Sequence, residues 1–137
     1  MFILAGASSQ GRVVADILSS KNIKITGFLD DNNQLDVING IPRIGAIHDI
    51  HSLYTPKNRI ILCFGDNRVR EKMCTTFGKN MTYGNAIHSS AVISASSTIG
   101  VGNMISALSF VGSNAKIQDH VIINTSAIIE HDCHVES

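Results

Sequence analysis

Residues 87–137 read IHSSAVISASSTIGVGNMISALSFVGSNAKIQDHVIINTSAIIEHDCHVES. An aliphatic side chain stands at every sixth position: Ile87, Ile93, Ile99, Ile105, Val111, Ile117, Ile123, Ile129 and Val135. Ile, Leu and Val together make up about a quarter of the chain. An unbroken run of that length in one phase would then arise by chance roughly a few times in a million. A second register runs four residues behind the first, through Ala91, Ser97, Asn103, Ser109, Ala115, Val121, Ala127 and Cys133. All but Asn103 are small or β-branched.

A period of six matches neither the 3.6-residue turn of a helix nor the two-residue repeat of a strand. It matches a coil with three flat sides, each side a short strand and a corner. The aliphatic residue points into the prism, and the small residue sits where the corner tightens. Three sides make an 18-residue coil, and coils stack at the strand spacing of about 4.8 Å. Residues 87–137 supply just under three such coils. By position, His131 is the third residue of its hexad and points outward, and Cys133 fills the small slot as core packing.

The rule upstream is different. Residues 1–86 alternate between short apolar runs and helical patterns. MFILAG reads as a buried strand. SQGRVVADILSS places Val13, Val14, Ile17 and Leu18 on one helical face. NIKITGFLDD is a second strand, IGAIHDIHSL is helical, and RIILCFG is a buried strand. DNRVREKMCTTFG is a helix capped by Asp66 and closed at Gly78. MTYGNAIH is a last strand or the exit from the sheet. This order predicts a Rossmann-like parallel sheet of about four strands. The domains expected are 1–86, a small αβ binding domain, and 87–137, the coil.

Bulk properties narrow the function. Lys plus Arg equals Asp plus Glu, at 11 each, so the basic surplus of a nucleic-acid binder is missing. No apolar run approaches the roughly 20 residues of a membrane span. The N-terminus lacks the basic region of a signal peptide. Cys63, Cys74 and Cys133 are odd in number and form no CxxC pair, which fits reduced cytoplasmic thiols. No metal site is expected, HDCH at 131–134 included.

Two stretches carry candidate chemistry. GASSQG puts Gly6 and Gly11 at the outer positions of a GxGxxG loop, with Ser8 in the middle. Such a loop turns a strand into a helix whose N-terminus can receive phosphate. Asp30 and Asp31 follow the second strand, near the spacing of a ribose-binding acid. A tight βα turn and an Asp-Asp-Asn-Asn turn account for the same residues without a ligand. NAD is an alternative ligand, although four strands are few for a dinucleotide fold. The second stretch is NTSAIIEHDC at 124–133. His88, His120 and His134 read as exposed polar residues. Glu130 reads as structural, and Asn124 and Thr125 as an outward polar row or a support for the site.

The hexads resemble the repeat of the hexapeptide acyltransferases. Through ILAGASSQGRVV, GFLDD, CFGDNRVREKM, the hexads and NTSAIIEHDC, essentially the whole chain resembles one family of bacterial sugar O- and N-acetyltransferases. These are the sialic acid O-acetyltransferase (NeuD) and bacillosamine-pathway (PglD) type. The resemblance implies that the coil is a left-handed parallel β-helix. It implies acetyl-CoA-dependent acetyl transfer to a sialic acid or nucleotide-linked amino sugar, in the synthesis of surface glycans. His131 would be the general base, a role histidine suits near neutral pH, with Asp132 as its acid partner. Gly6, Ser8, Ser9, Gln10 and Gly11 would lie near the pyrophosphate of the acceptor, and Asp30 or Asp31 near its nucleoside. The resemblance implies a homotrimer with sites between subunits. Apolar residues expected on exposed coil faces, Met104, Leu108 and Phe110, agree with association.

The chain departs from the family at Ser9-Gln10, often Gly-His, and at Asp132, often glutamate. Members continue through further coils, so the β-helix is expected to be C-terminally truncated. The alternative reading is a non-catalytic or truncated nucleotide-sugar or NAD-binding module on a β-helix.

Overall fold

The computed structural model describes residues 1–78 and 80–137. Its first part is a five-stranded sheet in the order β3-β4-β2-β1-β5. The strands are β1 (Phe2–Ala5), β2 (Ile25–Leu29), β3 (Val37–Ile38), β4 (Ile41–Gly45) and β5 (Arg59–Leu62). Helix α1 (Ser9–Ser19) follows β1. A 3₁₀ turn (Ile47–Asp49) and the short α2 (Ile50–Leu53) follow β4, and α3 (Asn67–Phe77) follows β5.

Sheet residues alternate between two buried faces. Phe2, Leu4, Phe28 and Ile61 pack with Val14, Ile17 and Leu18 of α1. Ile3, Leu29, Ile60 and Leu62 pack with Ile50 and Phe77 on the other side. Helix α3 begins where expected: the Asp66 side chain accepts the Val69 N–H at 3.0 Å, and the helix ends at Gly78, φ 73°.

Three details depart from the sequence expectation. The sheet is not all parallel, because β3 and β4 form an antiparallel hairpin. Asn39 and Gly40 join them with φ of 46° and 76°, the two left-handed residues of a tight hairpin turn. The helical stretch expected over 44–53 begins only at Ile47, since Ile44 and Gly45 belong to β4. Val13 is 39% exposed. It lies about 100° around the helix from Val14, away from the sheet.

The second part is a left-handed parallel β-helix. Its nine strands, each two residues long, are β6 (Ala86–Ile87), β7 (Val92–Ile93), β8 (Thr98–Ile99), β9 (Met104–Ile105), β10 (Phe110–Val111), β11 (Lys116–Ile117), β12 (Ile122–Ile123), β13 (Ile128–Ile129) and β14 (His134–Val135). They fall in rotation into three parallel sheets, β12-β9-β6, β13-β10-β7 and β14-β11-β8. Ile93 pairs with Val111 and Val111 with Ile129, so the coil is 18 residues. The second residue of every strand joins one internal column, all nine of the hexad aliphatics.

The corners explain the second register. Hydroxyls of Ser97 and Ser109 donate at 2.7 Å to carbonyls three residues earlier, Ser94 and Ser106. Asn103, the outlier, is fully buried and has a stacked role. Its N–H donates to Asn85 Oδ1, and its own Oδ1 accepts the N–H of Val121 one coil on. Residues 108, 114, 120, 126 and 132 all hold φ of 58–59°. This left-handed corner repeats with the hexad, on residues as unlike as Leu108 and Asp132.

The αβ part lies on one face of the prism, the β12-β9-β6 sheet. Ala86 and Met104 point outward from that face and are fully buried with the α1 side of the sheet core. Met104 is therefore not an exposed coil residue. Burying such a side chain is worth about 1.5–3 kcal/mol, and Gln10 Nε2 contacts its sulfur at 3.4 Å. The outward column of the next sheet, Val92, Phe110 and Ile128, is exposed, and neighbouring Leu108 is 67% exposed. Among the described residues no helix is long and apolar enough to cross a membrane.

Candidate active site

Strand order reverses between β1 and β5, and the Gly6–Gly11 loop stands at the carboxyl end of β1, beside that switch point. Gly6 N–H donates to Leu29 O at 2.8 Å and Cys63 N–H to Ala5 O at 2.7 Å, which ties the loop to β2 and β5. A Cβ on Gly11 would stand 2.6 Å from Gly6 O, so the turn into α1 closes only on glycine. Ser8 is the N-cap of α1 but makes no side-chain cap bond. Ser8 and Ser9 are exposed. Gln10 turns instead toward Met104.

The two acids differ. Asp30 spends both oxygens on backbone: Oδ2 accepts Ala7 N–H at 2.7 Å and Oδ1 accepts Asn32 N–H at 2.9 Å. Its job is to hold the glycine loop. Asp31 uses Oδ1 on Ile47 N–H at 2.9 Å. It is exposed and borders a cavity of about 230 Å³ with His48, His51 and Phe77.

His131 and Asp132 sit on a different edge. They occupy the corner between β13 and β14, stacked on Gly112–Ala115. A Cβ on Gly112 would stand 2.6 Å from His131 N, so glycine permits the tight stack beneath the histidine. Both side chains are exposed. His131 Nδ1 and Asp132 Oδ2 are 2.8 Å apart. That bond, then the charge of Asp132, raises the histidine pKa above its ordinary value, and the bond to His131 holds the Asp132 carboxyl below its own. A carboxylate only accepts, so Nδ1 carries the shared proton. In the neutral imidazole Nε2 is then the free base.

Other expectations move. Cys133 is exposed. Ala115, which fills the same column one coil earlier, is buried. His120 is not an open polar residue: it packs edge-on to Tyr83 at 4.6 Å, and its carbonyl accepts Arg70 Nε at 3.0 Å. Burial pushes its pKa down, and Arg70 adds to that. Asn124 and Thr125 belong to the corner before β13, one strand away from His131. Asn114, which the sequence did not single out, donates to Asp132 Oδ1 at 3.3 Å. Among the described residues no three His, Cys, Asp or Glu side chains are grouped to hold a metal ion.

The structure does not bring the two stretches together. The glycine loop lies beside the β12-β9-β6 face, through Gln10 and Met104. His131 lies on the edge shared by the other two faces, opposite the αβ part.

The profile of the PglD N-terminal domain family matches residues 2–77. The acetyltransferase domain of PglB from Neisseria gonorrhoeae FA1090, solved with acetyl coenzyme A, superposes with a TM-score of 0.90 and 32% identity. The match covers 97% of this chain and 65% of that one. PerB from Caulobacter crescentus, solved with CoA and GDP-perosamine, superposes with a TM-score of 0.88 and 28% identity, over 97% and 64% of the two chains. The chain thus spans a little under two-thirds of the length of these solved relatives. An uncharacterized protein of Acanthamoeba polyphaga mimivirus, L142, is 33% identical over 117 residues, 85% of this chain and 23% of that protein.

Proposed function

The chain belongs to the PglD N-terminal domain family, and from that premise we propose that it serves acetyl transfer from acetyl-CoA to the amino group of a nucleotide-linked sugar. The observation that carries the reading is the His131–Asp132 pair, in a fold shared at 28–32% identity with proteins solved with acetyl-CoA, or with CoA and GDP-perosamine.

The amine of the acceptor attacks the thioester carbonyl. His131 Nε2 takes the amine proton as the new C–N bond forms, and Asp132 keeps the proton on Nδ1 and balances the imidazolium. The C–S bond then breaks, and the thiolate of CoA leaves and takes up a proton. The products are the N-acetylated sugar and free CoA. In the αβ part, the exposed Ser8 and Ser9 and the first N–H groups of α1 face the pyrophosphate. Asp31, with its unused oxygen, faces the nucleoside. Asp30 acts behind them by fixing the loop.

Because the two stretches lie on opposite sides of one prism, the reading requires a second copy. One copy presents the His131 edge to the glycine loop of its neighbour, in a homotrimer built on the β-helix. The exposed column Val92, Phe110 and Ile128 supports association.

The test combines acetyl-CoA with GDP-perosamine and follows acetylated sugar by mass spectrometry and free CoA by thiol titration. Transfer by the wild type that disappears in His131→Ala supports the reading. Nucleotide-sugar binding without any transfer overturns it in favour of a binding module. Mixed oligomers of His131→Ala and Gly11→Val chains recover activity only if each site draws on two copies.

A further inference from the structure

The edge that carries His131 is built from three stacked corners whose equivalent residues lie 18 apart: Ser96, Asn114 and Asp132. They form a connected line. Asn114 N–H donates to Ser96 Oγ at 3.2 Å, Asn114 Nδ2 donates to Asp132 Oδ1 at 3.3 Å, and Asp132 Oδ2 meets His131 Nδ1 at 2.8 Å.

Asp132 is exposed and adjoins His131 in sequence, so nothing in its own corner stops the carboxylate from rotating into water. An exposed ion pair held in one geometry loses side-chain entropy and is worth little unless something else fixes it. Asn114 supplies that restraint, because its amide takes the oxygen that the histidine does not use. It is a neutral donor, so it orients the carboxylate without competing for the imidazolium charge. Asn114 is itself anchored by its bond to Ser96 and by a left-handed φ of 59°, which asparagine tolerates.

We propose that Asn114 is a positioning residue, holding Asp132 so that its second oxygen faces His131 Nδ1 and leaves Nε2 as the base. The inference rests on the reading of His131 as the base and deepens it. The charged groups facing His131 are Asp132 and Glu130 of its own corner. The corner beneath contributes Gly112, Ser113 and Asn114, which are uncharged. The Asn114 bond also follows the His131 bond among the causes that lower the Asp132 pKa.

Two variants respect the left-handed corner. Asn114→Gly removes the amide without strain. Asn114→Asp keeps the shape but puts a second carboxylate beside the first. The readouts are an NMR titration of the His131 ring and kcat and KM with acetyl-CoA and GDP-perosamine. In Asn114→Gly, the His131 pKa falls toward the ordinary histidine value. There kcat drops by about tenfold, the scale seen for groups that orient an imidazole, and the KM for acetyl-CoA is unchanged. In Asn114→Asp, the added charge raises the His131 pKa while kcat still falls, which separates orientation from charge. An unchanged titration in Asn114→Gly, with or without a loss of thermal stability, overturns the positioning role. Turnover retained in His131→Ala overturns the reading of the base instead, and the titration then still decides whether Asn114 positions the pair.

Discussion

The αβ sheet and the β-helix bury the same aliphatic side chains in different ways. In the sheet, Ile61 is enclosed by segments far apart in sequence, β1 on one side and α1 above. In the β-helix, the neighbours of a column residue lie 18 positions away in either direction. A sheet residue thus depends on a unique set of elements, whereas a coil residue depends on whether a coil stands on each side. The chemistry divides along the same line. Polar groups of the sheet gather at strand ends, where a loop can wrap a ligand. Those of the coil gather on edges, where a side chain projects from a rigid stack.

The largest effects should separate the two regions by kinetic parameter. His131→Ala should lower turnover by at least 100-fold, the usual weight of a general base, with an unchanged melting temperature because the side chain is exposed. Asp31→Asn should leave kcat near wild type and raise the KM for the nucleotide sugar several-fold, as loss of uniform binding does. If Asp31→Asn lowers kcat instead, the division of labour between loop and edge fails.

Next in size come core truncations, read by chemical denaturation. Ile61→Ala and Ile117→Ala should each cost about 2–5 kcal/mol, since both side chains are buried. Ile129→Ala, in the same internal cluster but only partly buried, should cost less than half of the Ile117→Ala value. Equal costs for Ile117 and Ile129 would show that stacking does not grade the column.

The pH dependence follows in size. A general base must be neutral, so activity is lost as pH falls through the His131 pKa, which the Asp132 contact has raised. Asp132→Asn should move the midpoint of the pH–rate profile to lower pH and reduce the plateau. The smallest effect concerns His120. Burial lowers its folded pKa, so its contribution to stability is whole above the ordinary histidine value. That contribution is lost as pH falls below that value, toward the lowered folded one. The melting temperature should drop over that range, and His120→Asn, which suits a φ of 58°, should flatten the drop.

Much of this was legible in the chain. The hexads marked every internal residue of the coil, and Asp66 and Gly78 marked both ends of α3. The hairpin of β3 and β4 escaped because β3 is only two residues long, too short for a periodic signal, although Asn39-Gly40 is a hairpin signature. Val13 was placed on the wrong side of α1 because four aliphatics close in sequence span more arc than one face. Met104 and His120 differ from expectation for one shared reason: the hexad says which side chains point outward, not which of those are then covered. Cys133 is the converse case, an inward slot that is exposed. Asn114 was hidden because its partner lies 18 residues on, and only stacking makes them neighbours.

The period alone determined that residues 87–135 form a three-sided coil with a single aliphatic column. Each hexad aliphatic repeats the demand of the one before it, and neither a helix nor a plain alternating strand meets that demand every six residues. What the period leaves open is how the three faces differ, since all carry the same inward pattern. Tertiary structure broke that equivalence when α1 settled on Ala86 and Met104, the outward apolar residues of the β12-β9-β6 face. That choice put the glycine loop on one side of the prism and left His131 on the opposite edge.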